Sequence, residues 1–154
     1  MPVAVDNRQR RARVSKAVVA AAARRAMAAL GRPGADLEIA LVDDAQIRAL
    51  NATWRGVRRR TDVLAFPLET PGGAAPLLGQ LVVSVETARR QARRLGVAVA
   101  MELALLVTHG TLHLAGWDDR DPVESDLMHR REREILSSRR TRPPARLWRG
   151  LLAS

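Results

Sequence analysis

Two histidines, His109 and His113, stand four residues apart in a stretch that reads THGTLHLAGWDD over residues 108–119. Residues 101–114 are apolar at nearly every position and hold neither Gly nor Pro before Gly110, the pattern of a mostly buried helix. Positions four apart on a helix lie about 5–6 Å apart at Cβ, so both imidazoles can converge on one ion. Gly116 is placed to take a left-handed conformation just past the helix end, which turns the chain back and carries Trp117, Asp118 and Asp119 toward the rings. The spacing His-x3-His-x2-Gly-x2-ligand is that of extended zinc sites, and it puts the third ligand at Asp119.

Two neutral imidazoles and one carboxylate, with a fourth position left to water, form a catalytic zinc arrangement. The carboxylate lowers the formal charge of the site relative to three histidines, so water bound there is less acidic. A zinc protease of the H-E-x-x-H type is excluded on one residue, because Gly110 stands where its general base, a glutamate, belongs.

Three ordered blocks carry a wider resemblance. Residues 50–69, LNATWRGVRRRTDVLAFPLE, contain Asn-x-x-aromatic-Arg-Gly followed by Thr-Asp-Val-Leu-x-Phe-Pro. Residues 78–92, LGQLVVSVETARRQA, place a Leu-Gly strand ahead of a helix. The histidine block follows, and then Glu124, Met128, Glu132, Ile135 and Leu136. In these blocks the chain resembles the YbeY endoribonucleases, a family of metal-dependent hydrolases, over roughly residues 37–136.

The resemblance implies a zinc-dependent endoribonuclease with one ion per chain, acting on single-stranded RNA in small-subunit (16S) rRNA maturation and ribosome quality control in the cytoplasm. It assigns catalytic roles to Arg55, His109 and His113, and metal ligation to His109, His113 and Asp119. Arg55 would hold the scissile phosphate and neutralise charge on its oxygens while a metal-activated water attacks in line. The proton acceptor is left open between metal-acidified water, Asp118 and attack by the RNA's own 2′-hydroxyl. The chain departs from the family in two places. Asp119 replaces a third histidine, with Asp118 and Asp121 as other oxygen donors, and Gln80 replaces an aspartate. An alternative reading is a ribosome-associated RNA-binding factor with a structural or decayed metal site. A hydrolase of some other phosphoester or small amide fits the site but not the charge of the chain.

That charge points to polyanions. The 154 residues include 26 basic and 16 acidic side chains, a formal net charge of +10. All the basic residues except Lys16 are arginine, which grips phosphate bidentately and stacks on unpaired bases. Arginines cluster at residues 8–13, 58–60, 89–94, 130–133 and 139–142, although each cluster taken singly reads as a solvated face or tail. There are no cysteines, hence no disulfide framework or thiolate ligands, and no apolar run reaches the length of a membrane span.

A single α+β domain must position these residues: a small mixed sheet of about four strands packed with about five helices, the metal site lying at the end of a buried helix. Strands are expected at 3–5, 37–42, 62–66 and 81–84, and helices at 14–30, from Asp43 or Asp44 to 54, at 85–95 behind a Ser84 cap, at 101–114, and from Pro122 to 136. Residues 67–76 read as a Gly- and Pro-rich turn. The domain spans residues 1–138, and 139–154 form a basic tail, mobile or loosely docked, to which no function is assigned. His129, on a polar helix, reads as exposed, and Trp54 and Trp117 read as packing residues beside the site.

Overall fold

Four apolar runs pair into a sheet: β1 (Val3–Asn7), β2 (Asp36–Val42), β3 (Val63–Pro67) and β4 (Leu77–Ser84). The computed structural model describes residues 3–55, 62–67, 77–138 and 142–151, and Trp54, Arg55, Leu77 and Leu78 only in their backbone. The strand order is β1-β2-β4-β3; β1, β2 and β4 run parallel, and β3 returns antiparallel to β4. Parallel neighbours need a crossover, and the helix α1 (Lys16–Ala29) supplies the one between β1 and β2. Ser15 caps that helix by accepting the Val18 amide, and its buried stripe of Val19, Ala22, Ala23, Ala26 and Met27 is mostly small, so it lies close against the sheet and the next helix.

The sheet is covered on both sides, as its continuous apolar strands require. One face, carrying Ile39, Leu81 and Val83, packs against α1 and the long α4 (Val99–Leu114). The other, carrying Ala40, Val42, Leu64 and Val82, is covered by Ile47 and Leu50 of α2 (Asp44–Arg55). The remaining helices are α3 (Val85–Leu95) and α5 (Pro122–Leu136), both packed on α4. This is the expected single α+β domain with a mixed four-stranded sheet.

The helix α4 is the spine of the molecule. Ten of its residues are buried, from Glu102 to Leu112, and the hydroxyls of Thr108 and Thr111 bond back to the carbonyls of Ala104 and Val107 at 2.7 Å each. A Cβ built on Gly110 would lie 2.7 Å from a methyl of Leu81 on β4, so this position faces the sheet at closest approach. A side chain at position 110 would have to displace the side chains of Leu81 and Val63, so glycine suits the close packing of α4 on the sheet.

Some boundaries move. β4 begins four residues before the expected position 81, and α4 begins at 99 rather than 101. Asp43, not Asp44, caps α2: its carboxylate accepts the Gln46 amide while Gln46 Oε1 accepts the Asp43 amide, both at 2.8 Å, a reciprocal capping box. Gln80 lines a concavity with Asp6, Glu38 and Ala40, so it lies on the sheet face opposite α4. An aspartate there would stand beside its register partner Glu38, and the amide removes that like-charge pair without touching the histidine site.

Residues 142–151 are docked. A 3-10 helix, Ala145–Gly150, buries Leu147 completely against Leu105 and Leu136. Arg146 donates to the carbonyls of Leu95 at 2.8 Å and Gly96 at 3.3 Å.

Candidate metal centre

The C-terminal turn of α4 builds the site. Ala115 ends the helix, and Gly116 at φ 99° lets the Trp117 amide reach the Leu112 carbonyl and its own amide reach the His113 carbonyl, both at 3.0 Å. That pair of bonds is a Schellman motif, and it needs a residue free to take positive φ. Trp117 packs on Leu112, Met128 and Ile135, which holds the returning chain over the helix end. Its carbonyl accepts from His113 Nδ1 at 3.0 Å.

His109 is held from the other side. Its Nδ1 lies 2.6 Å from Glu132 Oε2 on α5, with His109 2% and Glu132 0% exposed. Each histidine thus commits Nδ1 to an oxygen acceptor, one a carboxylate and one a carbonyl, and each turns a bare Nε2 lone pair into the same space. The two Nε2 atoms are 3.0 Å apart. Two lone pairs facing one another at that distance repel unless a cation or a proton lies between them.

Asp119 completes the group, with Oδ2 3.6 Å from His109 Nε2 and 3.8 Å from His113 Nε2. The point equidistant from these three atoms is about 2.0 Å from each, a zinc–ligand bond length. Exposure rises from 2% at His109 through 18% at His113 to 24% at Asp119, so one side of the group opens to solvent. The donor set fits a zinc-like ion with a free coordination position.

The other aspartates of the turn are committed elsewhere. Asp118 Oδ1 accepts the Asp119 amide at 2.9 Å and Oδ2 pairs with Arg120 at 2.6 Å. Asp121 caps α5 by accepting the Glu124 amide at 2.8 Å. Of the three oxygen donors open in the sequence, Asp119 is the one that joins the two imidazoles. Burial pulls the His109 pKa down, but the hydrogen bond and charge of Glu132, with the charges of Asp62 and Asp119, raise it overall. Burial and the neighbouring His109 lower that of His113.

Arg55 closes α2, and its side chain, like that of Trp54 and the arginines at 58–60, lies outside the described residues. His129 is half-buried rather than exposed and stands outside the histidine–aspartate group, because its helix lies partly against the body of the domain. In the sequence Glu132 stands out only by its spacing from Met128 and Ile135. Its signal was legible: it sits on the buried stripe of α5 with Met128, Ile135 and Leu136, and a carboxylate on such a stripe requires a partner.

Two of the arginine clusters prove to be one surface. Arg10, Arg11 and Arg13 face Arg89, Arg90 and Arg93 of α3 around two adjoining concavities of about 330 and 400 Å³. Val99 borders the second, which puts this surface at the N-terminal end of α4, some 14 residues or about 20 Å from His113.

Comparison with known proteins gives concordant results. The family described as Endoribonuclease YbeY matches residues 4–140. A protein of that name from Anaeromyxobacter sp. (strain Fw109-5) is 50% identical over 109 residues, covering 71% of this chain and 57% of that protein. Another from Pelotomaculum thermopropionicum is 39% identical over 145 residues, covering 88% of this chain and 95% of that protein. The chain spans under three fifths of the length of the two Anaeromyxobacter relatives it matches, 57% and 56%. The solution structure of TM1509 from Thermotoga maritima shares the fold, with a TM-score of 0.60 and 24% identity over 86% of this chain and 85% of that one.

Proposed function

The chain belongs to the Endoribonuclease YbeY family, and from that premise we propose that it is a metal-dependent endoribonuclease that cuts single-stranded RNA. The observation that carries the reading is the convergence of His109 Nε2, His113 Nε2 and Asp119 Oδ2 on one point. These three residues would hold a single Zn²⁺. Such an ion, when bound, supplies Lewis acidity to a water molecule and to a phosphoryl oxygen.

The chain's own groups do the rest. Glu132 and the Trp117 carbonyl keep both imidazoles in the tautomer that ligates through Nε2, so the site is preorganised. Arg55, at the end of α2, is proposed to hold the scissile phosphate and to offset charge growing on its oxygens. Asp118 is bound within its own turn, so a proton acceptor there would first have to leave Arg120. Ribosomal RNA of the small subunit is the proposed substrate and the small subunit the proposed partner, in the cytoplasm. The arginine surface supports an RNA partner, and no helix among the described residues is long and apolar enough to cross a membrane.

The test is metal content by mass spectrometry with cleavage of a single-stranded RNA on the same samples, for the wild-type protein, Asp119→Ala and His113→Ala. About one zinc per chain, lost with cleavage in both variants, is the expected result. A wild-type protein that neither holds nor responds to added Zn²⁺ and leaves RNA intact would overturn the proposal and favour an RNA-binding factor.

A further inference from the structure

We infer that the C-terminal segment is a working part of the metal centre: Trp148 fixes Glu132, and Glu132 in turn fixes His109 with Nε2 free for a cation. The inference rests on the metal-site reading above, but its geometry is independent of any ion. The Trp148 indole N–H donates to Glu132 Oε1 at 3.1 Å, and Glu132 Oε2 takes the His109 Nδ1 hydrogen bond at 2.6 Å. Glu132 is wholly buried, so its two oxygens have no water to turn to. A carboxylate can accept both bonds at once. An amide can accept one, because its nitrogen would meet a second donor, and an indole can only donate. The residue types at both positions are therefore the ones this chain of bonds requires.

The segment is built to place that indole. Leu147 anchors it in an apolar cluster, Arg133 lies 5.0 Å above the Trp148 ring, and Gly150 passes so near α3 that an added Cβ would come within 3.0 Å of Leu95. Removal of the indole N–H leaves a buried carboxylate oxygen without its donor and the Glu132 carboxylate held on one side alone, which loosens its grip on His109. Trp148 and Glu132 are positioning residues, since neither reaches the space between the imidazoles.

The experiment uses the full chain as wild type, Trp148→Phe and Glu132→Gln. Phenylalanine removes the N–H but is also smaller than indole, so thermal melts report the loss of packing against the Leu147 cluster and the His109 tautomer reports the loss of the hydrogen bond. Zinc affinity is measured by competition with a chromogenic chelator, the His109 ring tautomer by ¹⁵N NMR on metal-free protein at alkaline pH, where the ring is neutral, and folding by thermal melts. The expected result is a zinc affinity lower by roughly 10–100-fold in Glu132→Gln and by a smaller factor in Trp148→Phe, with His109 drifting to a tautomer mixture in both. Trp148→Phe carries the test alone if Glu132→Gln does not fold. Variants that fold, bind zinc as tightly as wild type and keep the same His109 tautomer would overturn the inference. A wild type that binds no zinc defeats the metal reading instead, and the NMR comparison still decides whether Trp148 and Glu132 hold the ring.

Discussion

Glu102 is the residue whose setting is least comfortable. It lies two helical turns before His109 on α4, wholly buried, and neither of its carboxylate oxygens has a hydrogen-bond partner among the described residues. Burial, then the charge of Asp62, push its pKa up to about 7 against the pull of Arg94. The folded state thus takes up a proton that the unfolded chain, near 4.5, has released. The stabilisation is full below that value, declines as pH rises through about 7, and is gone above it. Relative to Glu102→Gln, the unfolding free energy of the wild-type protein should fall by about 2–3 kcal/mol between pH 4.5 and pH 8. Urea titrations with a chelator present, which keeps metal binding out of the comparison, would measure it. Parallel pH curves would show that Glu102 stays ionised in the fold.

At the scale of elements, the junction of α2, β4 and α3 is tied by one side chain. Asp44 accepts from Ser84, which caps α3, from Thr87 in its first turn, and from Arg90 one turn on at 2.6 Å, while its own amide donates to Glu86 at 2.9 Å. Burial opposes ionisation, but the bonds from Thr87, Arg90 and Ser84 outweigh it and hold the pKa at about 2. A depressed carboxylate stabilises above its unfolded pKa of 3.8, and that contribution disappears as pH falls through about 2. Asp44→Asn should therefore cost about 2 kcal/mol at pH 6 and almost nothing near pH 2. Equal losses at both pH values would assign the effect to packing rather than to the charge. This tie was invisible in the sequence, where Asp43 and Asp44 stood as alternative starts of the same helix, because Ser84 and Thr87 lie 40 and 43 residues away.

For the molecule as a whole, the question is where a net charge of +10 acts. Of the arginines in the surface at the N-terminal end of α4, Arg90 is paired with Asp44, whereas Arg11, Arg13, Arg89 and Arg93 have no carboxylate partner among the described residues. Arg11→Ala combined with Arg89→Ala should weaken binding of a single-stranded RNA and reduce the slope of log affinity against log salt by about 1.4. Arg24→Ala with Arg25→Ala removes the same charge from the exposed face of α1 and should change the slope far less. Fluorescence anisotropy across a salt series distinguishes the two; equal losses would mean that bulk charge alone attracts RNA.

The local parts of this protein were legible in its sequence because their causes are local. Helix periodicity put His109 and His113 on one face, Gly116 announced the turn, and counting through that turn reached Asp119, each within a dozen residues of chain. Strand and helix identities followed from apolar runs and caps for the same reason. What no local pattern encodes is which distant atoms meet in the folded core. Only the tertiary structure brought Glu132 to His109 and Trp148 to Glu132, set Gly110 against Leu81, merged the arginines of residues 10–13 with those of α3, and engaged Asp118 and Asp121 in their own turn rather than with the imidazoles. Buried polar groups must find partners wherever the packing of helices on the sheet supplies them, and that packing is decided by the whole chain at once.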